Sequence, residues 1–298
     1  MVTRQQVDRY HADGFVVIGD VLSAEQLAEG RRLIDEFTER SRAVTVSDAL
    51  FDLEPGHCAE RPMVRRLKNP ARLHPFFDAL IRSAPILDCL EALIGQGVRM
   101  LGSKLNMKAA DGGSPVEWHQ DFAFHPHTND DVLALGVYFD DATLDNGCML
   151  MVPGSHRGGV LDHHQDGVFV GAISPSRGEA DLSMAVPIEV KAGGISIHHG
   201  HMLHASAPNR SARPRRLLLY DLAGVDAWPL LGVPDLAAYN QQILRGEPTL
   251  AVRLAPVSAR IPLPLPAAAA TIFEMQAGVR EKAFDTVHEH PTPWPLPR

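Results

Sequence analysis

From Val98 to Leu222 the chain is a succession of short β-forming runs cut by turn clusters, and this texture limits its fold more than any other feature. Val98–Lys108, Val132–Phe139, Cys148–Val152, Val186–Val190, Ile195–His199 and Arg216–Leu222 read as strands. Between them stand Gly-Gly-Ser-Pro, Asp145-Asn146-Gly147 and Ala192-Gly-Gly194. Asn-Gly is the strongest short hairpin marker, so 145–147 and 192–194 predict two hairpins. Strands at this spacing argue for a barrel or a sandwich.

The first 95 or so residues have the other periodicity. Thr3 is placed to cap a helix ending near Asp13, with Gly14 as its stop. Phe15–Ile18 is a short β-type run, and Ser23-Ala-Glu-Gln26 has the spacing of a capping box. Leu27, Leu33, Ile34 and Phe37 then follow at helical period. Residues 42–62 read as an irregular segment, followed by helices over 75–82 and 85–94. After Pro229 the sequence predicts one helix, 235–244, and then Pro-rich coil. The expected organisation is one domain over 1–298, mainly β with a helical cover: cover to about 95, β core 96–222, and a C-terminal helix and coil 223–298.

Composition excludes several functions. With 36 acidic and 28 basic residues the net charge is −8, which disfavours a nucleic-acid partner. The cysteines number 3, an odd count with no C-x-x-C pair, so neither a disulfide framework nor a zinc ribbon is expected. No apolar run reaches the roughly 18 residues that span a membrane. Ile261–Phe273 is nearest, and it holds three prolines. These readings predict a cytoplasmic protein with a small-molecule partner, and they allow a homodimer. The unusual number is 15 histidines, since imidazole is the commonest metal ligand.

Two histidine segments carry the chemistry. In extended chain residues i and i+2 share a face, so His119 and Asp121 present an imidazole beside a carboxylate, a mixed donor set suited to Fe(II), Mn(II) or Zn(II). His198, His199, His201 and His204 form the second group, and such a site needs one of them. His204 heads a segment that turns through Pro208 and Asn209 and returns to Arg215, whose guanidinium could clamp an anion beside the metal.

With these residues in view, the chain resembles the phytanoyl-CoA dioxygenase family of Fe(II)/2-oxoglutarate oxygenases. Trp118-His-Gln-Asp121 is similar to its W-H-x-D segment. The run from Asn146-Gly147 to Pro153-Gly-Ser-His156 is similar to its N-G hairpin, and His204-x-Ser206, Asn209-x-Ser211 and Arg215 to its H-G-S…N-x-S/T…R segment. Tyr10–Ile18 is like its first helix and strand.

The resemblance implies a double-stranded β-helix, a cupin-like jelly roll, and an oxygenase that couples oxidative decarboxylation of 2-oxoglutarate to hydroxylation of a small, partly apolar organic substrate by dioxygen. It implies His119, Asp121 and His204 as iron ligands, and Arg215 with Ser206 at the distal carboxylate of 2-oxoglutarate. Asn106, in the place of the asparagine of the R-I-N strand of ectoine hydroxylase relatives, becomes a second contact to 2-oxoglutarate, with Trp118 packed beside it. Gly136 stands where the namesake enzyme has a tryptophan, which argues against a fatty acyl-CoA and for a wider pocket. A halogenase of this fold would lack Asp121. A metal-binding jelly roll without oxygenase activity, or an acyl-CoA hydroxylase, are the competing readings. The basic run Arg61, Arg65, Arg66 and Lys68 adjoins the irregular segment. From it we expect Arg65 or Arg66 to grip an anionic group of the substrate, with Met107, Phe122, Leu135 and Gly136 against its apolar part.

Overall fold

The computed structural model describes residues 2–284, apart from 96, 111, 257 and 268–270. The Pro-rich tail expected beyond them lies outside the described residues. In chain order the elements are α1 (Arg4–Asp13), β1 (Phe15–Ile18), α2 (Ala24–Arg40), β2 (Phe51–Leu53), β3 (Val64–Lys68), α3 (Pro70–Leu73), α4 (Pro75–Ile81) and α5 (Ala84–Ile94). There follow β4 (Val98–Lys108), β5 (Val116–His119), β6 (Val132–Tyr138), β7 (Met149–Met151), β8 (His164–Gln165), β9 (Val168–Phe169), β10 (Val186–Ile188) and β11 (Ile195–His199). The last are β12 (His204–Ser206), β13 (Arg215–Gly224), α6 (Leu236–Gln241), β14 (Ile243–Arg245) and α7 (Ile272–Gln276).

The strands form two facing antiparallel sheets, the jelly-roll arrangement expected. The large sheet runs β1-β11-β6-β13-β4-β3-β2, with β14 also on β4, and the small one runs β10-β7-β12-β5. A two-stranded ribbon, β8-β9, stands apart. Both predicted hairpins fail, for one reason. β6 pairs with β11 and β13, whereas β7 pairs with β10 and β12, so Asn146-Gly147 carries the chain from one sheet to the other. Ala192-Gly-Gly194 likewise joins β10 and β11 across the two sheets. A tight turn fixes a reversal of direction, but only the face each strand buries decides whether the reversal closes a ladder or a sandwich.

The helical cover forms as the sequence predicts. Thr3 and Ser23 cap α1 and α2, each through a capping box with a glutamine, and Gly14 ends α1 at φ 86°. Leu33, Ile34 and Phe37 of α2 are buried with Leu133, Leu135 and Val137 of β6 against the outer face of the large sheet. Gly30 permits this approach, because a Cβ there would stand 2.0 Å from the Phe139 ring. Residues 42–62 are less irregular than expected: β2 lies within them and pairs with β3 at the edge of the large sheet. β3 in turn pairs with β4, setting Arg66 opposite Asn106. The helix expected over 235–244 is shorter, and Ile243–Arg245 leaves it to pair with β4.

Buried imidazoles give the fold an acid-sensitive element. His127 is 3% exposed, and its Nδ1–H donates to the His125 carbonyl at 2.7 Å. Burial outweighs that hydrogen bond and pushes its pKa down to about 4. A group depressed from about 6.5 in the unfolded chain stabilises the fold above that pH, and the contribution is lost as pH falls toward 4, because the unfolded state then binds the proton first. About 3 kcal/mol is expected to disappear over this window. Urea unfolding of wild type and His127→Asn, measured from pH 7 to 4, checks it: the wild-type curve should fall more steeply, and superimposable curves would refute the assignment.

Candidate active site

The small sheet supplies the histidines. β5 ends at His119, Gln120 continues extended, and Asp121 opens a short 3-10 turn, so His119 and Asp121 face the same way while Gln120 turns outward to the His201 carbonyl. β12 lies beside β5 with His204 directly opposite His119. The two imidazole rings stand 4.1 Å apart, and one ligand atom from each of His119, Asp121 and His204 falls within a 4.8 Å cluster.

The hydrogen bonds around the cluster decide which nitrogens face it. His119 Nδ1–H donates to the Glu117 carbonyl at 2.8 Å and His204 Nδ1–H to the Met202 carbonyl at 2.9 Å. That leaves both Nε2 lone pairs turned toward Asp121, at 3.7 and 3.9 Å. Such second contacts fix tautomer and ring orientation in metal sites. Burial lowers both imidazoles, His119 well below its ordinary value and His204 to about 4, so each is neutral at pH 7 and able to coordinate. Burial raises Asp121, but His204 and the hydrogen bond from His198 outweigh it and hold the carboxyl well below the usual carboxylate range.

Of the other three histidines in the second group, His198 hydrogen-bonds to the cluster, donating from Nε2 to Asp121 Oδ2 at 3.0 Å. This positioning role is not evident from the sequence, where a histidine on the inner face of the strand beside the turn is its one signature. His201 packs edge-on to Phe122 at 4.4 Å, and His199 lies against His201 and His156.

A cavity of about 390 Å³ opens on the cluster between the two sheets. Arg215, at the start of β13, faces it and is 2% exposed. Its Nη2 donates to the Gly147 carbonyl at 3.1 Å, while Nε and Nη1 are buried without a partner. The Asn146-Gly147 turn thus seats one edge of this guanidinium. Asn146 ties the turn to Thr143 and Asp141, and Gly147 holds φ 76° where a Cβ would press on the Ala207 carbonyl at 2.5 Å. Lys108, opposite Arg215 on β4, donates to the Ser114 and Ala207 carbonyls at 2.6 and 2.7 Å. Burial and the Arg215 charge lower its pKa well below the ordinary value.

Asn106, Ser206 and Arg215 line the cavity, as do Arg66 and Met107. Five expected contacts do not line it. Trp118 packs with Leu150, Val152 and Leu203 on the far side of the small sheet. Leu135 points into the helix layer, because alternation along β6 gives the inner face to its neighbours Ala134 and Gly136. Gly136 opens no pocket, since a Cβ there would meet Leu217 at 3.0 Å and Ser196 at 3.1 Å. Phe122 packs with Val132, Ala223 and Ala227. Arg65 does not line the cavity but lies over the ring of Phe273, which does. Residues of α7 on the cavity wall, Ile272, Phe273 and Met275, were missed because their surroundings read as Pro-rich coil.

Comparison with known proteins is decisive on the family. The phytanoyl-CoA dioxygenase (PhyH) family matches residues 10–217. The chain belongs to the phytanoyl-CoA dioxygenase family. A probable alpha-ketoglutarate-dependent hypophosphite dioxygenase of Stutzerimonas stutzeri is 34% identical over 94% of this chain and 99% of its own length. L-proline trans-4-hydroxylase of Streptomyces griseoviridis is 28% identical, over 71% of this chain and 82% of its own length. Among solved structures, iron-bound EctD from S. alaskensis superposes with a TM-score of 0.64 at 22% identity, covering 88% of this chain and 89% of that one, a likeness of fold. The protein is an Fe(II)- and 2-oxoglutarate-dependent dioxygenase acting on a small molecule.

The residues suit both groups. Two Nε2 lone pairs and a carboxylate make the facial donor set that ferrous oxygenases use. The orphaned Nε and Nη1 of Arg215 are what a buried carboxylate would satisfy.

Proposed function

We propose that this dioxygenase oxidises a compact anion, of the size and charge of a phosphorus oxyanion such as hypophosphite. The observation that carries the reading is that the cavity has two cationic poles and 2-oxoglutarate needs one. Lys104 is matched by Asp221 at 3.0 Å, and Lys68 by Asp52 at 3.1 Å, while Lys108 is spent on the Ser114 and Ala207 carbonyls and its charge is disfavoured by burial. Arg215 and Arg66 have no ion-pair partner among the described residues, and Arg66 donates its Nε–H to Asn106 at 2.8 Å. They stand on the two strands flanking β4, so on the order of 10 Å separates them. The Stutzerimonas relative named for hypophosphite supports the oxyanion.

In this reading His119, Asp121 and His204 hold Fe(II), which with a chelating 2-oxo acid supplies dioxygen activation. His198 steadies Asp121, and His119 and His204 stay neutral through their backbone hydrogen bonds. Arg215, with Ser206, orients 2-oxoglutarate, whereas Asn106, expected as a second contact to it, stands against Arg66 instead. Arg66 rather than Arg65 takes the substrate anion; burial pushes its pKa down to about 10, so it remains charged at neutral pH. Phe273, Met149, Leu217 and Leu219 on the wall favour a second reading, a small organic acid with an apolar body. A volume of about 390 Å³ that must also hold 2-oxoglutarate favours a small substrate. We place the activity in one domain over 1–298, in the cytoplasm, without nucleic-acid or membrane partners; a homodimer is open to light scattering. Among the described residues no helix is long and apolar enough to cross a membrane.

The test is succinate release by iron-loaded enzyme with hypophosphite, methylphosphonate, proline and a fatty acyl-CoA supplied in turn. Stimulation by one of the small anions supports the proposal, by proline the second reading. Stimulation by the acyl-CoA alone would overturn both.

A further inference from the structure

Helix α7 lies outside the part of the chain that the family comparison matches. It is nonetheless fastened to the catalytic sheet. Gln276 Oε1 accepts from the Glu117 backbone N–H at 2.9 Å, and Gln276 Nε2 donates to the Gly171 carbonyl at 2.8 Å. Glu117 belongs to β5, the strand that ends in His119. Just beyond, Val279 and Phe284 are each 4% exposed, and the Ala283 N–H donates to the Glu117 carboxylate at 2.7 Å. The helix is thereby held on the cavity, and Phe273 becomes part of its wall.

The ring of Phe273 meets two guanidiniums. Arg65 stands over it at 4.3 Å and Arg66 at 5.0 Å from the centroid. Neighbours on a strand project to opposite faces, so two adjacent arginines do not converge on one ring by default. Their charges repel, and neither has an ion-pair partner among the described residues. The negative face of the aromatic ring attracts both, and Arg66 is 9% exposed. Asn106 fixes the same guanidinium from its Nε side. Arg66 is thus held between an amide from β4 and a ring from α7, charged and turned toward the cavity.

We propose that Phe273 is a positioning residue for substrate: it holds the Arg66 guanidinium in the cavity so that α7, with Arg66 and Asn106, forms the anion-recognition wall facing the metal cluster. The inference rests on the proposed anionic substrate, but its geometry concerns Arg66 and can be tested without one.

The experiment compares wild type with Phe273→Ala, Phe273→Leu and Phe273→Tyr. Hypophosphite is titrated calorimetrically, without oxygen, into protein loaded with Fe(II) and 2-oxoglutarate. Loss of the ring face in the alanine and leucine variants should weaken hypophosphite binding about tenfold, with tyrosine restoring it. The affinity for 2-oxoglutarate, held by Arg215 at the other pole, should be the same in all four. Wild-type hypophosphite affinity in Phe273→Leu would reduce the ring to a space-filler and overturn the proposal, as would a parallel loss of 2-oxoglutarate affinity. If wild type itself does not bind hypophosphite, the oxyanion reading fails, and the positioning role is decided by phenylglyoxal modification of Arg66 followed by mass spectrometry. Modification several-fold faster in Phe273→Ala than in wild type and Phe273→Tyr supports the role; equal rates in all three refute it.

Discussion

His204→Ala is expected to reduce 2-oxoglutarate turnover to background, and His201→Ala to leave it intact. His204 places its Nε2 at 3.9 Å from Asp121, with Nδ1 committed to Met202, whereas His201 turns to Phe122. Removing one of three donors leaves the metal with an imidazole and a carboxylate, too few to hold it against solvent and buffer. His119→Ala should behave as His204→Ala does. His198→Ala makes a graded contrast. It leaves all three donors in place and removes the hydrogen bond to Asp121 at 3.0 Å and the packing of its ring on His204, and loss of such an outer contact typically weakens metal binding 10–100-fold. Turnover in this variant should recover when Fe(II) is raised, while His204→Ala should not. Turnover and iron content measured on the same preparations test both. Turnover surviving in His204→Ala and vanishing in His201→Ala would mean the wrong histidine has been assigned.

The histidine cluster also shows how far a sequence carries such an argument. His119 and Asp121 were legible because extended chain has a period of two, and the intervening Gln120 does turn the other way. The same rule was broken in choosing Leu135 and Gly136 together as pocket residues, since neighbours on a strand cannot share a face; the structure gives Leu135 to the helix layer. Trp118, next to His119, is excluded from the cavity on the same ground. The two turns read as hairpins were correct as turns and wrong as pairings, because the choice between sheets depends on partners remote in the chain. α7 was invisible for a different reason. It is five residues long, sits in a Pro-rich stretch with no apolar period, and is held by Gln276 on Glu117, a contact across 159 residues. Local periodicity cannot report an element that tertiary contacts create.

Arg215→Ala should raise the KM for 2-oxoglutarate at least about 100-fold, corresponding to the roughly 3–5 kcal/mol lost when a buried ion pair is left with one partner. The guanidinium is 2% exposed, and only Nη2 has a protein acceptor, Gly147. Removing it leaves the carboxylate of 2-oxoglutarate without its buried charged partner. Lys108 cannot replace it fully: its ammonium is spent on two carbonyls, and burial beside Arg215 already disfavours its charge. The neighbouring arginines provide controls with opposite expectations. Arg213 is exposed, and Arg216 is engaged with Asp140 and Asp35, each at 2.8 Å, on the outer side of the sheet. Substituting either should leave the KM for 2-oxoglutarate within about twofold, although Arg216→Ala should cost stability because it strands the half-buried Asp140. Arg66→Ala completes the test from the other pole. It should raise the KM for the substrate and spare that for 2-oxoglutarate, the reverse of Arg215→Ala. Two poles serving two anions must give this crossed pattern. If both variants raise both constants together, the cavity is a single anion site, and the assignment of cosubstrate to Arg215 and substrate to Arg66 falls.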